Sequence, residues 1–296
     1  MSKFGVMVMG PAGAGKSTFC ASLITHLQLN RRSCFYVNLD PAAESFEHTP
    51  DLDIRDLISV EDVMDELKLG PNGGLIYCFE FLMENLSFLE EALNSVTEEY
   101  LIIFDMPGQI ELYTHYPVLP ALVNFLRSPG NLDIRLCAAY LLESTFVVDR
   151  AKYFAGSLSA LSSMYMLGLP HLNILSKMDL VKDQIRKKDF KKFLVPDTML
   201  IEEDPAEVEA RKAGIDYQAP VESDEKDALM SGAGFKRLNA AVAQLLENFS
   251  MVHYHKLDCT DEDSVGGILS YIDECIQWAE AQEPKELADE EYEDDE

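Results

Sequence analysis

Basic residues are scarce in this chain. Lys and Arg number 24 against 52 Asp and Glu, for a formal net charge of −28. That deficit excludes phosphate-backbone binding as the main activity, because nucleic-acid affinity rests on neutralising phosphates with cations. No direct nucleic-acid partner is expected; basic protein surfaces are favoured instead. Metal-type cysteine spacing is also lacking. Cys20, Cys34, Cys78, Cys137, Cys259 and Cys275 form no CxxC or Cys/His pattern. They read as reduced, mostly buried thiols of an intracellular protein. The opening MSKFGVMVMG has no charged n-region, long apolar core or cleavage site, so no secretory leader is expected. The most apolar later stretch, 136–148, is broken by Glu143 and Ser144 and is too short to span a bilayer. No membrane partner is expected.

What is present is an alternation of apolar runs and amphipathic stretches. Strands are expected at 3–9, 33–38, 100–105, 134–142, 171–176 and 252–257. Helices are expected near 16–28, 54–67, 73–94, 113–127, 149–167, 178–193, 234–249 and 263–281. Near-continuous apolar strands alternating with helices imply an α/β fold, a mostly parallel central sheet flanked by helices. Two segments fall outside this pattern. Residues 201–230 hold ten carboxylates against three basic residues, and 283–296 hold nine against one. Together they carry about half the net charge, and both read as solvated, flexible segments. The basic run KDQIRKKDFKK (182–192) reads as a solvated helix face or a partner-binding patch.

Four motifs sit at strand ends. GPAGAGKST (10–18) follows the first strand and opens a helix, the context a phosphate loop requires. Gly10, Gly13, Ala14, Gly15 and Thr18 would form the backbone cradle. Lys16 would supply a point charge to the β- and γ-phosphates, and Ser17 a hydroxyl to Mg²⁺. In YLIIFDMPGQIE (100–111), Asp105 ends a strand and can join Ser17 as a Mg²⁺ ligand. YVNLDPAAE (36–44) ends its strand at Asp40, close to the metal or the attacking water, or capping the strand as an Asx-turn. HLNILSKMDL (171–180) ends in Ser176, Lys177 and Asp179. A carboxylate facing the N1–H and N2–H₂ edge selects guanine over adenine, since adenine would leave it unpaired at a cost of about 1–3 kcal/mol. The Lys177 stem can cover the base. Ser176-Lys177-Met178-Asp179 resembles the guanine motif (N/T)KxD of GTPases, with the Ser176 hydroxyl in place of the Asn amide. Asp258 to Thr260 are candidates for a further base-contacting loop. A fifth stretch, KLGPNGG (68–74), is turn chemistry that can also be a preformed loop presenting Asn72.

The set GPAGAGKST, NLDPAAE, GPNGG, DMPGQIELYTH and KMD, in that order, resembles the GPN-loop GTPases over roughly residues 3–280. SKMD and FSMVHYHKLDCTDEDS look most like the third of the eukaryotic paralogue groups. The resemblance implies a P-loop NTPase of the dimer-forming GTPase subclass, one domain over 1–281 with a GPN insertion near 54–94, then an acidic tail at 282–296. It implies GTP/GDP and Mg²⁺ as ligands, with Gly70, Pro71 and Asn72 reaching the partner's nucleotide. That reach would replace a lysine that related dimeric ATPases carry where this chain has Pro11. Gly108 resembles the glycine that senses the γ-phosphate, and Gln109 the glutamine that orients attacking water. Lys16, Asp40, Asn72 and Gln109 are then the catalytic set. The implied partner is a paralogous GPN-loop GTPase as a heterodimer, with a homodimer as the alternative. RNA polymerase II subunits, and by extension those of polymerase III, are the implied clients. The implied location is the cytoplasm, with shuttling to the nucleus. Two other readings stay open: a structural subunit that holds GTP or GDP with little hydrolysis of its own, and a phosphotransferase.

Overall fold

The computed structural model describes residues 2–181, 193–195, 241, 244–245 and 252–282. The basic run, most of the helix expected at 234–249, the acidic insert and the tail lie outside the described residues.

Seven strands form one parallel sheet in the order β3-β2-β4-β1-β5-β6-β7. They are β1 (Lys3–Met9), β2 (Cys34–Asn38), β3 (Leu52–Asp53), β4 (Leu101–Asp105), β5 (Ile134–Glu143), β6 (His171–Ser176) and β7 (Tyr254–Lys256). The central strands are apolar on both faces because both faces are covered. Met7, Met9, Phe104, Ala138 and Tyr140 pack into one core. Val6, Val8, Ile103, Ala139 and Leu141, alternating with them, pack into the other. The second core is closed by α1 (Lys16–Leu29) and by a late helix at Glu262–Ile276. The first is closed by α2 (Val60–Leu67), α3 (Pro71–Glu84), α4 (Ser87–Asn94), α5 (Ile110–Thr114), α6 (Val118–Arg127) and α7 (Arg150–Leu167). In chain order the late helix is α8, and a short α9 (Trp278–Gln282) follows it.

Several expected helices are shorter than their apolar periodicity suggests. The stretch 54–67 splits into a 3-10 turn at Ile54–Asp56 and α2, because Ser59 leaves helical geometry and its hydroxyl accepts from the Asp62 N–H as an N-cap. The helix expected at 73–94 begins two residues earlier and breaks at Asn85–Leu86. Residues 113–127 divide at Pro117, which N-caps α6. The helix expected at 263–281 is broken after Ile276, where Gln277 C-caps α8 with a left-handed φ of 58° and α9 follows. After Ser176 the described chain makes only a 3-10 turn, Met178–Val181, in place of the start of a long helix.

Since every strand runs the same way, every strand C-terminus lies on one edge of the sheet. The chain passes from β1 to β2 across β4 and from β4 to β5 across β1, so the crossovers diverge beside β1. That is where α/β sheets bind ligands.

Candidate active site

The loop after β1 is shaped by its glycines. Gly10, Gly13 and Gly15 have φ of 135°, 79° and 86°. A Cβ on Gly10 would stand 2.2 Å from the Leu141 carbonyl oxygen, so no other residue fits between β1 and β5. Gly15 N-caps α1, leaving the first helical N–H groups pointing into the loop. Lys16 is buried, and among the described residues its Nζ donates only to the Pro11 carbonyl, at 3.4 Å. Burial pulls this ammonium below its ordinary value, opposed by Asp105 and Asp40. Ser17 and Thr18 are exposed at the start of α1.

Asp105 ends β4 and is 2% exposed. The Tyr36 hydroxyl donates to its Oδ2 at 3.2 Å, while its Oδ1 is buried with no hydrogen-bond partner among the described residues. The Ser17 hydroxyl comes close enough to favour the charged carboxylate, though outside good hydrogen-bond geometry. Burial nevertheless holds this carboxyl above its ordinary range, with Ser17, Lys16 and Tyr36 opposing. Asp40 is similar: burial raises it, while the Ala42 N–H, Lys16 and Arg55 pull it back. It makes the Asx-turn, accepting from the Ala42 N–H at 3.0 Å, and also shares the field of Lys16. The two readings of Asp40 are therefore compatible.

Gly108 lies against the phosphate loop. A Cβ there would be 2.8 Å from Ala12 Cα. The turn that carries it is held by Tyr113, whose hydroxyl donates to the Pro107 carbonyl from a fully buried ring. Gln109 is half-buried and begins α5 without a side-chain cap bond.

Ser176 braces the phosphate loop through its hydroxyl. Its hydroxyl, 1% exposed, donates to the Ala14 carbonyl at 2.6 Å and lies 3.3 Å from that of Leu142. It thus ties the end of β6 to the phosphate loop. Lys177 takes a left-handed φ of 55°, which brings its Cε to 3.8 Å from where a Gly15 Cβ would be. Its Nζ pairs with Glu143 at 3.5 Å. Asp179 is exposed in the turn that follows. The Met178 N–H donates to the Leu257 carbonyl at 3.3 Å, and Asp179 lies within the field of Cys259. The loop after β7 therefore adjoins SKMD, as a base-contacting loop would. Within it Asp258 folds back, accepting from the N–H and hydroxyl of Thr260.

One candidate group stands apart. Gly70, Pro71 and Asn72 are exposed, and no hydrogen bond ties them to residues 10–18, 105–109 or 176–179. Nor do they form a free loop. Gly70 is the N-cap of α3, Pro71 its first residue and Asn72 its second. Proline suits that place because its missing N–H has no helical partner to lose. Asn72 is displayed on the rigid end of a helix.

The residues after β1, β4 and β6 thus meet at one phosphate-binding edge. A family model described as "Conserved hypothetical ATP binding protein" matches residues 8–278. Curated proteins named GPN-loop GTPase 3 match over nearly the whole chain. One from Gibberella zeae is 69% identical over 294 residues, covering 98% of each chain. One from Saccharomyces cerevisiae is 51% identical over 289 residues, again covering 98% of each. The chain belongs to the GPN-loop GTPases. In fold it is similar to an apo-form GTPase from Pyrococcus abyssi, with a TM-score of 0.65 at 20% identity over 92% of this chain and 97% of that one.

Sequence reasoning passed over two parts of this GPN-loop GTPase site. Tyr113 falls within the DMPGQIELYTH motif but was given no role there, since an aromatic at the start of an expected helix reads as core. Arg55 was absorbed into an expected helix. It lies instead just past β3, on the same edge as the phosphate loop.

Proposed function

We propose that this GPN-loop GTPase hydrolyses GTP with Mg²⁺ as a dimer, each GPN segment completing its partner's site. The observation that carries the reading is the buried, unpartnered Asp105 Oδ1 beside Ser17 and Lys16. A buried carboxylate oxygen without a donor suits a cation. Among the described residues no group of three His, Cys, Asp or Glu side chains could hold a metal by itself. That fits Mg²⁺, which takes one or two protein ligands and completes its shell with phosphate and water. Ser17 and Asp105 would hold it, and it would draw charge from the β- and γ-phosphates.

The chain's own groups do the rest. Lys16 exchanges its long bond to Pro11 for phosphate oxygens. The N–H groups of the loop and of Gly108 face the charge that develops on the γ-phosphoryl group. Asp40 accepts a hydrogen bond from the attacking water and holds it in line, and Gln109 can swing in beside it. Asn72 is exposed and held by no other motif, so its amide is free to reach a second chain's γ-phosphate. The family model's description names ATP and the relatives' names name GTPases. Asp179, displayed beside the Lys177 stem, favours guanine by the donor-pair argument. The role we infer is assembly and nuclear localisation of RNA polymerase II, and by extension III, from the cytoplasm, in a heterodimer with a paralogous GPN-loop GTPase. Its support is the family resemblance of the motifs, with the acidic composition suiting basic protein partners.

The test compares GTP hydrolysis by this chain alone, by the chain with its paralogue, and by the pair carrying Asn72→Ala here only. A pair faster than either subunit and slowed by Asn72→Ala supports the reading. A rate indifferent to Asn72→Ala favours the second reading, a nucleotide-holding structural subunit. That reading draws on Ser176 and on the loop after β7, where Asp258 folds back onto Thr260.

A further inference from the structure

We propose that Arg55 is a positioning residue for GTP hydrolysis: clamped on Asp53, its guanidinium holds segment 40–46, and with it the Asp40 carboxylate, at the phosphate edge. The proposal rests on the reading of Asp40 as the water-ordering group.

The geometry is a chain of directional contacts. Arg55 Nε donates to both oxygens of Asp53, at 3.2 and 2.9 Å, and Nη2 to Oδ2 at 2.6 Å. Such a fork fixes the guanidinium plane as a lysine could not. Its remaining Nη1 donates to the Ala43 carbonyl at 2.8 Å, three residues beyond Asp40. The same guanidinium lies over the Phe46 ring, 4.7 Å from its centroid. Segment 40–46 is thereby held at two points from one side chain. The Asp53 end is tied to Asp40 as well. Asn38 Nδ2 donates to Asp53 Oδ1 at 2.8 Å and to the Asp40 carbonyl at 3.0 Å, and the Asp40 N–H returns a bond to Asn38 Oδ1 at 3.0 Å. A second route runs from Phe46, edge-on to Tyr36 at 6.2 Å, to the Tyr36 hydroxyl on Asp105. Both edge carboxylates thus connect to one arginine.

Arg55 also acts on Asp40 through its charge. The charged and titratable groups around Asp40 are Lys16 from α1, Asp105 from β4, Tyr113 from α5 and Arg55 from the 3-10 turn. Burial pushes the Asp40 carboxyl up, and of these groups Lys16 and Arg55 oppose it. Removing Arg55 therefore moves Asp40 toward its protonated form, which cannot accept from water in the same way.

The experiment measures GTP hydrolysis against pH for full-length wild type, Arg55→Met, Arg55→Lys and Asp40→Asn, each with the same partner subunit, together with fluorescent-GDP affinity. Arg55→Met is expected to lower kcat roughly 10- to 100-fold, the scale for a misplaced reacting group. GDP affinity should stay within about threefold, since such a group acts only in the transition state. The acid limb of the kcat profile should move to higher pH, and Arg55→Lys should restore that limb more fully than the rate, because it returns charge without the fork. Asp40→Asn should be slow with no acid limb of this origin. If Asp40→Asn is slow and Arg55→Met is not, the positioning role is overturned and the reading of Asp40 stands. If Asp40→Asn hydrolyses at the wild-type rate, the reading of Asp40 fails and the positioning role with it. A loss of rate in Arg55→Met matched by an equal loss of GDP affinity, with no shift of the limb, reduces Arg55 to a structural residue. Should Arg55→Met not fold, Asp53→Asn, which loosens the fork and keeps the guanidinium, must lower kcat in the same way or the proposal falls.

Discussion

Replacing Ser176 with alanine isolates the bond that links the guanine motif to the phosphate loop. The side chain is 1% exposed, so the substitution removes one oxygen without admitting bulk water, and the Ala14 carbonyl loses a 2.6 Å donor. A buried acceptor deprived of its partner costs about 1–3 kcal/mol. The bond joins the fold's core to the nucleotide loop, so the loss divides between two observables. Whatever part falls on the nucleotide-free fold appears as lower unfolding free energy in urea. Whatever part falls only on the loop's bound geometry appears as weaker GDP binding, at most about 5- to 150-fold if all of it did. The two losses, measured by denaturation and fluorescent-GDP titration on one preparation, should together come to about 1–3 kcal/mol. A variant with wild-type stability and wild-type affinity would show that the brace contributes nothing, and the account of Ser176 as a substitute for an amide would be wrong.

Gly108→Ala would place a methyl 2.8 Å from Ala12 Cα, so at an overpacking cost of about 1–3 kcal/mol it should weaken nucleotide binding roughly 5- to 150-fold, read by the same titration. Asp179→Ala should reduce the preference for GTP over ATP by about tenfold or more in competition binding; an unchanged preference would place base selection elsewhere. Burial holds Asp105 above its ordinary 3.8, so its charge costs stability at neutral pH. Nucleotide-free Asp105→Asn should therefore be the more stable protein at pH 7. Its advantage should fade as pH falls through the raised value and vanish below 3.8, and a gain independent of pH contradicts this. His171 is half-buried, but both its ring nitrogens are buried beside Tyr140 with no hydrogen-bond partner among the described residues, and desolvation lowers it from 6.5 to about 4. The stability it permits is full above pH 6.5 and lost toward pH 4, up to about 3 kcal/mol, and His171→Phe should remove that loss in denaturation at pH 7 and 4.5.

The sequence was most legible where chemistry is local. Gly10 to Thr18, Asp105 and Ser176 to Asp179 each follow an apolar run. In a parallel sheet that alone puts them on one edge, so their meeting could be inferred before any coordinates. The sheet was legible for the same reason, except β3, whose two residues are too few to carry a period. Helix ends were less so. Apolar periodicity continues through Asn85–Leu86 and His115–Pro117 although the backbone breaks there. Pro71-Asn72-Gly73 reads as a turn because proline serves a turn and a helix N-terminus equally well. Arg55 was illegible for a different reason. Its partner Asp53 is two residues away, but its effect depends on Asn38, Ala43 and Phe46, which only the folding of β2 beside β3 brings together.

On the proposed reading, the charges of this edge point to a coupling between nucleotide and Mg²⁺. Burial drives Lys16 toward its neutral form and Asp40 and Asp105 toward theirs, so the site is least comfortable when all three are charged and nothing else is bound. On the proposed reading, phosphate oxygens answer the Lys16 ammonium and a cation answers Asp105. Each ligand alone corrects one side and leaves the other exposed to its desolvation cost. Together they neutralise both, and they also neutralise each other. Nucleotide and Mg²⁺ should therefore raise one another's affinity by the same factor, as linkage requires. Part of that factor runs through Asp105, because a cation must hold its carboxyl ionised against burial. In Asp105→Asn the mutual enhancement should shrink while metal-free nucleotide binding holds or improves. If the enhancement survives that substitution in full, the cation is bound by the phosphates alone, and the orphaned Oδ1 has some other explanation.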